Sequence, residues 1–282
     1  MTLAIRKMGG YIGARVEGID FSQSLNENLL QEIADALYQH QVISISAADM
    51  SPEQHAEIAL FFGEPEHNAT AQFNVHETIP YLTVIDSEKG DRSDSWHADE
   101  TFLEEPPLVN FLHGKILPES GGDTAFISAA AAYDALSDKM KTLLEGLTAV
   151  HDYGHLYELG WRNGMDLGEL VGDALVKGLI HQHPIVREHP VTGRKWLTVN
   201  STYTRHIMGL PPVEADAIHR MLLQHMQKPE FGYRHVWQPG DLLIWDQQAA
   251  QHYAVYDFEG RRVVHRISAL RSRENYKGVK TV

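Results

Sequence analysis

Apolar residues return at helical spacing early in the chain. Leu29, Leu30, Ile33 and Leu37 mark one face of an amphipathic helix. The apolar run Val42-Ile43-Ser44-Ile45 that follows predicts a strand. Ser51-Pro52-Glu53-Gln54 then opens a second helix, with serine as N-cap, proline in the first turn and glutamine placed to close a capping box. That helix is predicted to end near Gly63. Leu108 to Leu117 reads as a strand, and Pro118-Glu119-Ser120-Gly121-Gly122 as a strong turn. Ala129 to Leu147 is predicted helical, with Ser137 capping a second segment. Val213 to Gln227 is predicted to be a helix, with strands at Lys195 to Asn200 and Asp241 to Trp245 on either side. Leu159 to Gly178 is acidic, glycine-rich and aperiodic, which predicts an exposed insert or lid.

The last strand carries the most chemistry. In Arg262-Val263-Val264-His265-Arg266-Ile267-Ser268, a period of two places Arg262, Val264 and Arg266 on one face. Two arginines on one face of a buried strand are costly unless something anionic meets them. They could pair with carboxylates of the chain itself, or wait for an anionic ligand.

Composition narrows the field. The 282 residues are 43% hydrophobic and 22% charged, enough for a sizeable core, and no repeat or linker divides them. One domain over 1–282 is the expectation. The 24 basic residues face 38 acidic ones, a net charge of -14 that argues against nucleic acid as a partner. The absence of cysteine excludes disulfides, thiolate ligands and a cysteine nucleophile. Arg6 and Lys7 have no apolar stretch behind them, so no signal peptide is expected, and no run approaches membrane-spanning length. A cytoplasmic protein is the expectation.

His97-Ala98-Asp99 is the central motif. On an extended segment, residues two apart point the same way, so an imidazole and a carboxylate can converge on one ion. A histidine from a distant strand would complete a set of two histidines and one carboxylate. Such a set leaves three adjacent positions open, as in non-heme Fe(II) oxygenases. With 17 histidines, His-x-Asp alone is weak. Context strengthens it: Trp96 to Phe102, then Gly121-Gly122-Asp123-Thr124, and later Trp245-Asp246, Gln251-His252 and the two-arginine strand. His181-Gln182-His183 and the pair His151 and His155 also have metal-like spacing, but no further ligand is evidently placed to complete either.

In this order and spacing, the residues resemble the taurine dioxygenase and 2,4-dichlorophenoxyacetate dioxygenase family of Fe(II)/2-oxoglutarate-dependent dioxygenases. The resemblance runs over nearly the whole chain, from Tyr11-Ile12-Gly13-Ala14 through Phe61-Phe62-Gly63 and His183-Pro184-Ile185-Val186-Arg187 to Gly193-Arg194-Lys195. It implies a mainly β fold with flanking helices, the double-stranded β-helix or jelly roll. It implies an iron site of His97, Asp99 and His252, with Thr124 and Arg262 on the distal carboxylate of 2-oxoglutarate. A guanidinium fork and a hydroxyl suit that carboxylate. A carboxylate at Asp99 argues against a halogenase, which would need that position open for chloride.

The resemblance also implies the substrate side. Arg266 matches the arginine that takes the substrate's anionic group, which predicts a sulfonate, an alkyl sulfate or an aryloxyalkanoate hydroxylated with release of sulfite, sulfate or phenol. Where taurine enzymes place a histidine, a tyrosine and an asparagine, the alignment puts Asn68, Ala71 and Ser93. Taurine is therefore not expected to be the best substrate. Tyr157 and Tyr203 fall at aromatic substrate contacts, or else pack the core. Taurine dioxygenase proper, and a non-catalytic jelly roll that binds metal and 2-oxoglutarate, are the alternatives. Family analogy adds a homo-oligomer.

Overall fold

The spacing of Leu30, Ile33 and Leu37 becomes helix α1 (Glu27–His40), whose N-cap Asn26 accepts a hydrogen bond from the Leu29 N–H. The capping box forms as well. Ser51 accepts from the Gln54 N–H, the Gln54 side chain accepts from the Ser51 N–H, and α2 (Pro52–Phe62) runs from there to Gly63. The computed structural model describes residues 3–67, 74–89, 94–154 and 179–272. The lid expected at 159–178 lies outside the described residues, as do Asn68, Ala71, Ser93, His155 and Tyr157.

The strands in chain order are β1 (Ala4–Lys7), β2 (Ala14–Glu17), β3 (Val42–Ser46), β4 (Gly63–Pro65), β5 (Asn74–Val75), β6 (Thr83–Asp86), β7 (Val109–Ile116) and β8 (Thr124–Ser128). The chain continues with helices α3 (Ala129–Asp134) and α4 (Asp138–Leu144) and strands β9 (Thr148–Asp152), β10 (Ile180–Pro184), β11 (Val186–Glu188), β12 (Lys195–Leu197) and β13 (Thr204–Ile207). Helix α5 (Pro212–Met226) precedes β14 (Gly232–His235), β15 (Asp241–Asp246), β16 (Ala250–Ala254) and β17 (Val263–Ser272). The predicted helix over Ala129 to Leu147 is thus two short helices, because Ser137 caps a new one through the Met140 N–H. The predicted strand from Lys195 stops at Leu197. Beyond it, the Asn200 side chain accepts from the N–H groups of Thr202 and Tyr203 and turns the chain.

The principal sheet runs β1-β2-β3-β15-β7-β17-β6-β5, with β4 also on β17; a smaller sheet runs β14-β8-β16. Non-consecutive neighbours such as β3-β15-β7-β17 are the crossovers of a jelly roll. Between the sheets, Leu112, Val264, Leu243 and Trp245 of the principal sheet cluster with Phe126 and Trp237. On its outer side the principal sheet is covered by α1 and α2, with Ile33, Leu37, Ile58 and Phe62 packed on Ile43, Phe111, Leu242 and Ile267. Each such side chain contributes about 1.5–3 kcal/mol on burial. The functional residues therefore rest on a scaffold closed on both faces.

Candidate metal centre

His97 and His252 face each other across a single antiparallel bridge. The His97 N–H donates to the His252 carbonyl at 3.1 Å, and the His252 N–H donates to the His97 carbonyl at 2.8 Å. Directly opposed residues point to the same face, so the bridge brings the two rings together with centroids 4.1 Å apart. The two-residue spacing then adds Asp99. Its Oδ1 lies 3.1 Å from His97 Nε2 and 3.7 Å from His252 Nε2. Among the described residues, these three form the one group of possible ligands whose donor atoms all lie within 4.8 Å of one another, and all three are buried.

Partners around the triad fix which atoms face inward. His97 Nδ1 lies 2.7 Å from the Ser95 carbonyl, which can only accept, so that nitrogen carries a proton and Nε2 is the ring nitrogen turned toward Asp99. Asn110 Nδ2 donates to Asp99 Oδ2 at 2.7 Å and Arg266 donates to the same oxygen at 3.3 Å, leaving Oδ1 for the triad. Gln247, itself held by the Trp245 indole N–H, donates to the Asp99 carbonyl. Burial, and then the neighbouring His97, push His252 down to about 3. Burial opposes ionisation of Asp99, but His252, His97 and Arg266 outweigh it and hold the carboxyl below its usual range. A neutral imidazole, as at His252, and an ionised carboxylate are forms that ligate a cation. His97 Nε2 and Asp99 Oδ1, 3.1 Å apart in a buried site with His252 beside them, fit a divalent ion.

The two arginines of β17 and its approach differ in company. Arg262 is buried, donates from Nε to the Gly122 carbonyl at 3.0 Å, and stacks over Trp237 with Cζ 5.5 Å from the ring. No carboxylate lies within ion-pair distance of it among the described residues. Asp123, the nearest acid in the glycine turn, is held instead by Arg234 at 2.6 Å. Burial pushes the Arg262 guanidinium down, as it must for a cation without a counter-ion. Trp237 also donates its indole N–H to Thr124 Oγ1 at 3.1 Å, so one ring joins Thr124 to Arg262. Gly122, at φ +69, allows this approach: a Cβ there would stand 3.2 Å from Arg262 Cδ.

Arg266 meets the chain's own carboxylates. Besides Asp99, its guanidinium lies 3.9 Å from Glu66 Oε2. Glu100 joins this cluster in a left-handed conformation with φ 55, which non-glycine residues seldom adopt. Burial and the adjacent Glu66 push Glu100 up to about 8. Tyr203 is buried with its ring 6.2 Å from His97 and 5.1 Å from Phe102; burial, then Asp99 and Glu100, raise its phenol well above the usual range. His151 and His183 instead brace the turn after Asp99. His151 Nδ1 meets Thr101 Oγ1 at 2.8 Å, and His183 Nε2 donates to the Leu103 carbonyl at 3.0 Å.

Sequence reasoning missed Asn110, Trp237, Gln247, Glu66 and Glu100. Glu100 stands beside the His-x-Asp motif and could have been asked about; the other four come from elements whose proximity only the sheet order reveals.

A model of the taurine catabolism dioxygenase TauD, TfdA family matches residues 4–268. The chain belongs to that family. Three curated relatives agree. An alkylsulfatase of Acinetobacter baylyi is 34% identical over 94% of this chain and 84% of its own length. An alpha-ketoglutarate-dependent sulfate ester dioxygenase of Pseudomonas putida is 32% identical over 95% and 89%. An alpha-ketoglutarate-dependent 2,4-dichlorophenoxyacetate dioxygenase of Cupriavidus pinatubonensis is 29% identical over 96% and 98%. Among solved structures, AAD-2 in complex with Mn(II) and N-oxalylglycine superposes with a TM-score of 0.81 at 27% identity, covering 97% of this chain and 99% of that one. The protein is an α-ketoglutarate-dependent dioxygenase of jelly-roll fold, and its family uses Fe(II), 2-oxoglutarate and O2.

Proposed function

We propose that His97, Asp99 and His252 hold Fe(II), that Thr124 and Arg262 hold 2-oxoglutarate, and that the enzyme hydroxylates a small anionic substrate: a sulfonate, an alkyl sulfate or an aryloxyalkanoate. The observation that carries this reading is the buried Arg262, without a carboxylate partner among the described residues, in a chain whose three candidate ligand atoms converge. Leaving a buried cation uncompensated is costly, and a dicarboxylic co-substrate supplies the missing charge. The substrate classes named for the relatives support the anionic reading.

Iron with 2-oxoglutarate and O2 supplies the oxidising power: one oxygen atom enters a substrate C–H bond, the other enters succinate, and CO2 leaves. The protein's own residues orient and enclose. Ser95 and Asn110 fix the direction of the His97 and Asp99 lone pairs. Arg262, stacked on Trp237, and the Thr124 hydroxyl point 2-oxoglutarate at the centre. Phe102, Trp245 and Tyr203 exclude water. Arg266 is assigned the substrate's anionic group, with Tyr203 at the substrate's side. Where the hydroxylated carbon bears a sulfate or ether oxygen, the product divides into a carbonyl compound and the leaving group. A single catalytic domain working in the cytoplasm as a homo-oligomer completes the reading; no helix among the described residues is long and apolar enough to cross a membrane.

Succinate release with Fe(II), ascorbate and 2-oxoglutarate, across sulfonates, alkyl sulfates and aryloxyalkanoates, tests this. Strong stimulation by one class is the expected result. Release that none of them stimulates would overturn the anionic assignment while keeping the reaction class. The absence of any release from iron-loaded protein would overturn the assignment of catalysis.

A further inference from the structure

The three candidate ligands stand on two segments far apart in the chain, and the loop 198–203 between β12 and β13 touches neighbours of all three. Ahead of His97, the Ser201 N–H donates to the Trp96 carbonyl at 3.0 Å and Thr202 Oγ1 donates to the same carbonyl at 3.4 Å. Thr202 Oγ1 also shares a hydrogen bond with Ser95 Oγ at 2.6 Å, and Ser95 is the residue whose carbonyl orients the His97 ring. Beyond Asp99, Asn200 Nδ2 donates to Thr101 Oγ1 at 3.0 Å, and His151 Nδ1 meets the same hydroxyl at 2.8 Å. Ahead of His252, Gln251 Nε2 donates to the Val199 carbonyl at 2.6 Å. Asn200 is the corner of this loop. Its Oδ1 accepts from the N–H groups of Thr202 and Tyr203, and its own N–H donates to Thr204 Oγ1 at 2.8 Å. Asn200, Thr101, Thr202 and Gln251 are all buried, so their hydrogen bonds form away from water, where they are costly to leave unmade.

We propose that Asn200 is a positioning residue for the metal centre: through the loop that it shapes, it holds the segment of His97 and Asp99 in register with the strand of His252. The antiparallel bridge between His97 and His252 sets two of the ligands against each other. The brace from Asn200 to Thr101 acts on the third, from two residues beyond it. Such a brace matters at a metal, which takes its ligands within about 0.2 Å of fixed bond lengths. Tyr203 leaves the same turn, so the ring beside His97 is placed by the same side chain. This inference rests on the reading of His97, Asp99 and His252 as the ligands, and it adds the residue that keeps them together.

Mn(II) titration of the full chain under nitrogen, read by electron paramagnetic resonance, tests it, with thermal unfolding of the metal-free protein measured alongside. Asn200→Ala is expected to raise the Mn(II) Kd by about tenfold or more. Thr101→Val, which keeps the shape and removes the hydroxyl, is expected to raise it as well, whereas Thr101→Ser, which keeps the hydroxyl, restores the wild-type value. Both Asn200→Ala and Thr101→Val remove one and the same hydrogen bond, so combining them is expected to weaken binding by no more than about twofold beyond Asn200→Ala alone. Ser137→Ala removes the cap of α4 instead, and is expected to lower the melting temperature without moving Kd. A wild-type Kd in Thr101→Val, fold-changes that multiply in the double variant, or a Kd that rises with lost stability in Ser137→Ala overturns this inference and leaves the ligand assignment standing. Should Asn200→Ala fail to fold, Thr101→Val against Thr101→Ser still decides. Wild-type protein that takes up no Mn(II), or takes it up equally after Asp99→Ala, overturns the ligand assignment and this inference with it.

Discussion

At the scale of single residues, Asn110 and Arg262 illustrate two ways in which a side chain serves a centre it does not ligate. Asn110 is fully buried and donates to Asp99 Oδ2 at 2.7 Å, so Asp99 offers Oδ1 alone to a cation. Asn110→Leu removes that donor, and the affinity for Fe(II) or Mn(II), titrated without oxygen, is expected to fall roughly 10–100-fold. An unchanged Kd would show that Asn110 does nothing for Asp99. Arg262 is the residue proposed above to hold 2-oxoglutarate, and Arg234 rather than Arg262 pairs with Asp123. Arg262→Leu is expected to cost about 2–5 kcal/mol of 2-oxoglutarate binding with metal affinity kept. Arg262→Lys should recover part of it, since an ammonium supplies charge without the planar fork. Loss of metal binding in step with 2-oxoglutarate binding would contradict this division of roles.

At the scale of elements, the glycine turn between β7 and β8 shows how backbone shape sets a side chain. Gly122→Ala is expected to lower 2-oxoglutarate affinity and to destabilise the fold by about 1 kcal/mol, read from KM and from thermal unfolding. The cause is strain at φ +69 together with the crowded Arg262 Cδ. A variant with unchanged KM would mean that the turn does not aim Arg262. Local signals of this kind could be read from the sequence. Asn26 was not foreseen as a cap, but the Ser51–Gln54 capping box, the face of α1 and the apolar core of β15 were, because each depends on neighbours within a few positions. The triad could be read too, since His-x-Asp is local and His252 follows Trp245-Asp246 in a recognisable order. Trp237 and Asn110 could not be, because Trp237 meets Thr124 and Arg262, and Asn110 of β7 meets Asp99, only once the strands are assembled. The face of β17 was half readable: alternation put both arginines on one face, but only the structure gives Arg266 to Asp99 and Glu66 and leaves Arg262 without a carboxylate within ion-pair distance among the described residues.

At the scale of the whole molecule, the outer face of the principal sheet carries a second set of histidines, remote from the chemistry. His113 and His265 are directly opposed on β7 and β17, and His55 of α2 packs over His113 with centroids 6.0 Å apart. Burial, with Lys115 adding to it, pushes His113 and His265 each down to about 4, and burial holds His55 well below its usual value. These rings are neutral in the fold, whereas the unfolded chain takes up protons below about 6.5. The unfolded state then binds more protons, so stability is present above that pH and is lost as pH falls from about 6.5 toward 4. The melting temperature is expected to decline over this range, and a flat profile would mean that the cluster stays solvated. The contact between Arg266 and Asp99 has another kind of consequence. One guanidinium touches Asp99, proposed above as a metal ligand, and is itself proposed to hold the substrate, so on that assignment the two binding equilibria are coupled. By thermodynamic reciprocity, the factor by which metal alters substrate affinity equals the factor by which substrate alters metal affinity. On the assignment proposed above, a substrate that draws Arg266 away from Asp99 Oδ2 would leave a more basic carboxylate behind it, so its arrival would tighten the grip on iron.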